Sequence, residues 1–221
     1  MFDSQKHIFW QALIVTILIF GIGVFIGVIL ENWRTNNISN LYEKSELDLL
    51  DIKLQTEIYS IGNFNCDKAV KENVEFADRI FEEAKILDRY EKANRLTEKN
   101  LATQHKRYDL LRTTLFLNSI KIKEKCSNSY YEVVYFYKLN EPSYDTKAKQ
   151  NVFSKLLIEL KEIKGKKVLL IPIAGDNEIS AVKIILEKYN ISENELPVIL
   201  IDRKTKITEV QTIDWLMKYF G

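Results

Sequence analysis

From Ile8 to Leu30 the chain carries no charged residue: IFWQALIVTILIFGIGVFIGVIL. As a helix rising about 1.5 Å per residue, this run crosses a hydrocarbon core about 30 Å thick. Trp10 and Trp33 bracket it, where amphipathic rings suit the two membrane interfaces. Gln11 and Thr16 are tolerable polar interruptions. A cleaved signal peptide is the competing reading, but its apolar region is shorter, about 7 to 15 residues, and ends at a small-residue cleavage site. The exit here, Val28-Ile29-Leu30-Glu31-Asn32-Trp33, offers no such site. Residues 1–33 therefore read as a retained single-pass anchor.

Charge does not orient that anchor, because Lys6 and Asp3 on one side face Arg34 and Lys44 on the other. Gly23 and Gly27 form a small-xxx-small pair that would let two spans pack closely, so a homodimer is one expected assembly. The formal net charge of +1 supplies no global field for nucleic acid, which is not an expected partner. The lysine-rich stretches at 121–125 and 164–167 read as solvated element ends. His7 and His105 lie far apart, and neither has a Cys or His at metal-ligand spacing. No metal site or cofactor is expected.

Residues 34–128 read as a helical stalk. Leu47, Leu50, Leu54, Ile58 and Ile61 recur at spacings of three and four, as one helix face does. Gly62-Asn63-Phe64-Asn65 interrupts the pattern, with Asn65 placed to cap the next helix. Val70, Val74, Ala77, Ile80, Ala84 and Leu87 make a second stripe; Leu101, Tyr108, Leu115 and Ile122, supported by Leu111, make a third. A coiled-coil hairpin turning near residue 96, within Asn94-Arg95-Leu96-Thr97, is the expected packing. Such a turn brings Cys66 and Cys126 to the same end, where they would form a disulfide; the alternative is two unrelated buried thiols. The disulfide implies an oxidising compartment, hence a cytoplasmic N-terminus with everything after Leu30 outside. The sequons at Asn37 and Asn190, candidate glycosylation sites, are compatible with that side.

From residue 129 the texture changes. Tyr131–Tyr137 has the β-branched and aromatic content of a strand, and Val168–Ile173 is a near-continuous apolar run. Pro197–Ile201 and Lys206–Val210 are two further strands, and the short turn 202–205 suits an antiparallel hairpin. Helix faces fall at Val152–Leu160, Ile179–Tyr189 and Ile213–Phe220, giving β-α-β-α-β-β-α. That order resembles the thioredoxin core. The sharpest match is Tyr189-Asn190-Ile191 followed by Leu196-Pro197-Val198-Ile199-Leu200-Ile201, similar to the segment where a proline opens that family's third strand. The resemblance implies an α/β domain over 129–221, with Pro197 cis and beside the redox centre. The whole chain resembles prokaryotic, archaeal-type membrane proteins with one span, a helical stalk and a thioredoxin-like end.

The departure lies in the chemistry. Thioredoxin-like oxidoreductases hold C-x-x-C after the first strand, at a helix N-terminus that lowers the thiol pKa. This chain has Pro142-Ser143-Tyr144-Asp145 there. Serine cannot exchange disulfides, and Ser143 has no adjacent histidine base; Ser143 or Asp145 reads better as a helix cap. The leading expectation is thus a non-enzymatic, membrane-tethered binding or assembly protein, its contact surface a groove around Pro142, Ser143, Tyr144 and Pro197. Two alternatives stand beside it: a thiol-disulfide oxidoreductase using Cys66 and Cys126, and a structural subunit of a larger membrane complex. The expected partners are the lipid bilayer and other proteins.

Overall fold

The computed structural model describes residues 3–92, 98–126, 130–140 and 143–221, with the side chains of 3–7, 33–42, 45, 90 and 98–100 excepted. The hairpin turn expected at 94–97, Pro142, and the side chains of Trp33 and Asn37 lie outside these. Six helices and four strands follow in order: α1 (Asp3–Ile61), α2 (Cys66–Lys92), α3 (Glu98–Lys125), β1 (Tyr131–Tyr137), α4 (Tyr144–Lys164), β2 (Val168–Ala174), α5 (Ser180–Lys188), β3 (Val198–Ile201), β4 (Thr205–Ile207) and α6 (Ile213–Met217). The chain divides into two units, Met1–Asp48 and Leu49–Gly221.

The first unit is the leading part of α1. Its segment Ile8–Asn32, 25 residues, is long and apolar enough to cross a membrane, about 37 Å at the usual rise. Its large apolar side chains face outward, Ile8, Phe20 and Phe25 among them. Within it the Thr16 hydroxyl donates to the Ala12 carbonyl at 2.9 Å, which satisfies the hydroxyl without water.

The second unit is mixed α/β, built on a sheet of order β2-β1-β3-β4. β1 runs parallel to β2, pairing Tyr131 with Val168 through Tyr137 with Ala174, and antiparallel to β3. β3 and β4 form a hairpin whose turn residues Asp202 and Arg203 both have positive φ, as tight hairpins require. Alternation along β1 sends Val134 and Phe136 to one face and Val133 and Tyr135 to the other. Helices cover both faces, which is why the strands read as continuous apolar runs rather than as an alternation. Phe153, Leu156, Leu157 and Leu160 of α4, with Leu216 of α6, pack on the Val133 face.

On the Val134 face lie Ile80 of α2, Leu111, Leu115 and Phe116 of α3, and Val182 and Ile185 of α5. The stripes expected on α2 and α3 do face inward, but they seal the sheet rather than stand clear as a solvated stalk. Much of α3 is covered: Asp109, Thr113, Asn118 and Ser119 are as inaccessible as Leu111 and Leu115, while Leu110 and Leu117 remain exposed. The first expected stripe is turned the other way. Leu50, Leu54, Ile58 and Ile61 are exposed, while Ile52 and Tyr59 supply the buried face of α1. Polar contacts fix that choice: Thr56 donates to Asn118 at 2.5 Å, and Lys121 and Lys125 of α3 bond the Thr56, Tyr59 and Gly62 carbonyls.

Candidate functional site

The bend between β1 and α4 is held from three directions. Asp176, just beyond β2, accepts the backbone N–H of Leu139 at 2.7 Å and of Asn140 at 2.9 Å. Gln150 of α4 exchanges two bonds with the Lys138 backbone, at 2.7 and 3.2 Å. Gly175 donates its N–H to the Tyr137 carbonyl at 2.7 Å. A Cβ at Gly175 would sit 2.7 Å from Leu196 Cδ1, so glycine lets Leu196 close over the end of β2 and seats the segment that opens β3.

On this scaffold Ser143 is the N-cap of α4, its hydroxyl accepting from the Thr146 N–H at 3.4 Å. That bond satisfies one otherwise unpaired amide of the first turn. Tyr144 is 88% exposed, unusual for a large aromatic side chain. Pro197 is buried, and the Leu196–Pro197 bond is cis. Between the start of α4 and the approach to β3 lies a polar depression of about 370 Å³, lined by Asp145, Lys149, Asn194, Glu195, Leu196 and Glu209 among others. Lys149 Nζ reaches Glu209 at 3.9 Å. The neighbours of Tyr144 and of Pro197 in sequence therefore meet across one depression, although neither residue lines it.

Cys66 and Cys126 are bonded to each other, at the start of α2 and just past the end of α3, with Cα atoms 5.6 Å apart. Tyr59, Ala69 and Ile122 pack with Cys126 in a small buried cluster, and the described residues include no free cysteine. Of the sequon residues, Asn37 falls within α1, and Asn190 is exposed with φ 51°, ending α5 in the left-handed conformation that asparagine tolerates. His105 Nε2 lies 3.4 Å from Glu91.

Of the three buried acids among the described residues, Glu83, Asp109 and Glu132, the sequence announced none, and the last two join elements. Asp109 of α3 accepts the Ala174 N–H at 3.2 Å and the Asn177 amide at 2.8 Å, pinning α3 to the exit of β2. Glu132 of β1 accepts from Ser119 of α3, with Arg203 Nε 3.5 Å away. Beside it, Asp202 accepts from the Glu132 N–H at 2.8 Å and pairs with Lys123. The available signal was compositional: small polar side chains replace long charged ones along 113–119 of a supposedly solvated helix.

Burial raises both carboxyls above the ordinary range. It outweighs the guanidinium of Arg112 at Asp109 and the Ser119, Arg203 and Lys123 contacts at Glu132. A carboxyl raised in the fold contributes stability that is complete below its unfolded value, about 4, and is lost as pH rises through the folded one. Unfolding free energy should therefore fall as pH rises across that window. The Glu132→Gln variant should show a flatter slope, read from urea midpoints at several pH values. Equal slopes in both proteins would contradict the assignment.

No protein-family model, curated protein or solved structure matches this chain.

Proposed function

We propose that the protein is a membrane-tethered binding or assembly protein. Its N-terminus is cytoplasmic, residues 31–221 are outside, and its C-terminal unit is thioredoxin-like in fold without thiol chemistry. The reading proceeds from the two cysteines being joined to each other at the ends of α2 and α3. The helix N-terminus at the strand-to-helix bend is capped instead by Ser143. The N-terminus of α4 carries no thiol to activate, and Cys66, at the start of α2, is held in the bridge to Cys126. The element order, and a mixed sheet with β1 between parallel β2 and antiparallel β3, support the fold part of the reading. Tyr144, exposed beside a polar depression, is the side chain best placed to meet a partner.

A photocrosslinking residue at Tyr144 in native membranes tests this. A discrete protein adduct, lost when protease added to intact cells removes the C-terminal unit, is the expected result. No adduct at this position would contradict the binding surface. Protection of the C-terminal unit until the cells are lysed would reverse the orientation.

A further inference from the structure

One of the two sequons is set into the fold as a carbohydrate acceptor would be. An Asn-x-Ser triplet is a weak signal by itself, and what gives it weight is a surface turn in an exported domain. Asn37 falls inside the continuous helix α1. Asn190-Ile191-Ser192 instead opens the connection from α5 to β3. Asn190 and Ser192 are exposed, while Ile191 between them is 5% exposed and packs into the core beneath. The buried isoleucine thus fixes its two polar neighbours at the surface.

Asparagine has a structural reason to stand at 190, and that reason does not involve its side chain. The Asn190 N–H donates to the Glu187 carbonyl at 3.0 Å and the Ile191 N–H to the Leu186 carbonyl at 2.9 Å, which closes the end of α5. This cap needs positive φ at residue 190, a conformation that glycine adopts best and asparagine tolerates. Lys206 of β4 donates to the Asn190 main-chain carbonyl at 3.0 Å, and among the described residues none bonds its side-chain amide. Ser192 caps the 3-10 turn Glu193–Glu195, its N–H reaching the Glu195 carboxylate at 2.9 Å. Glycine at the first position and asparagine at the second would serve these two caps as well. The caps alone therefore do not call for this pair of residues. A glycan acceptor does.

We propose that Asn190 carries an N-linked glycan, added on the outer side of the membrane. The donor is an oligosaccharide joined to a lipid phosphate. The Asn190 amide nitrogen bonds to the anomeric carbon and gives up one proton. The carbon–oxygen bond to phosphate breaks, and the lipid phosphate leaves with that electron pair. The Lys206 contact places the sugar beside β4, an edge strand of the sheet. A bulky hydrophilic group there hinders a further strand from pairing with that edge. The inference rests on the outside placement of residues 31–221 and is independent of the partner surface at Tyr144.

The test is peptide mapping of the full-length protein isolated from native membranes, with fragmentation spectra that place any added mass. The peptide holding Asn190 should carry a series of sugar masses attached at that residue. Asn190→Gly and Ser192→Asn, which keep the two caps, should lose the added mass completely. Ser192→Thr, which keeps both the cap and the triplet, should retain it. Protease added to intact cells separates the two ways of failing. An unmodified Asn190, in protein whose C-terminal unit is removed from outside, would overturn the acceptor assignment alone. An unmodified Asn190, in protein protected until lysis, would overturn the outside placement and the glycan with it. Sugar mass that persists in Asn190→Gly or in Ser192→Asn would also overturn the assignment.

Discussion

Reduction of the Cys66–Cys126 bridge is expected to lower the stability of the second unit by about 4 kcal/mol, the chain-entropy value for a closed loop of this length. The two cysteines are 60 residues apart in sequence, so the bond closes a loop holding nearly all of α2 and α3. Those helices cover one face of the sheet. Loosening their common end exposes the cluster of Tyr59, Ala69 and Ile122. A loss of this size shifts the midpoint of a unit this large by roughly 10 °C. The full-length protein in micelles, unfolded in urea with and without a phosphine reductant, gives the number. A change under about 1 kcal/mol would mean that the helix pair is held by packing alone.

Phe136→Ala should cost a similar amount, about 3 to 5 kcal/mol, by leaving a cavity in the most enclosed part of the fold. Phe136 is 0% exposed, sits on β1 between β2 and β3, and belongs to the cluster that joins the sheet to α2, α3 and α5. Tyr144→Ala, at a side chain that touches solvent almost everywhere, should stay within about 0.5 kcal/mol of the parent. Pulse proteolysis in urea compares the two variants directly. Equal losses would contradict the assignment of Phe136 to structure and Tyr144 to surface.

The sequence disclosed what depends on strong local pattern. The uncharged run, the strands 131–137, 168–174 and 198–201 and the helices between them lie where apolar runs and periodicity placed them. The joined cysteines also match expectation, because two helices of matched length return their ends to one place. What the pattern could not disclose is which face of a helix is used when the helix has neighbours on several sides. The leucine stripe from Leu50 to Ile61 is outside and Ile52 is inside, since Thr56, Lys121 and Lys125 tie α1 down by hydrogen bonds that carry no hydropathy signal. On α3, Asp109, Thr113, Asn118 and Ser119 are buried while Leu110 and Leu117 are exposed, so hydropathy does not outline its covered face.

The bend was legible as a bend, and Ser143 as a cap of the helix that follows it. The support of the bend was not: Asp176 lies 37 residues from Leu139 in the chain, and only the folded sheet brings it and Gly175 to Leu139 and Tyr137.

Insulin reduction by dithiothreitol, followed in the presence of the purified full-length protein, tests the central claim most directly. With its cysteines joined at the helix ends and Ser143 at the bend, the protein should leave the rate equal to that of the reductant alone. Acceleration that disappears in Cys66→Ser or Cys126→Ser would contradict the account and make the bridge a catalytic one.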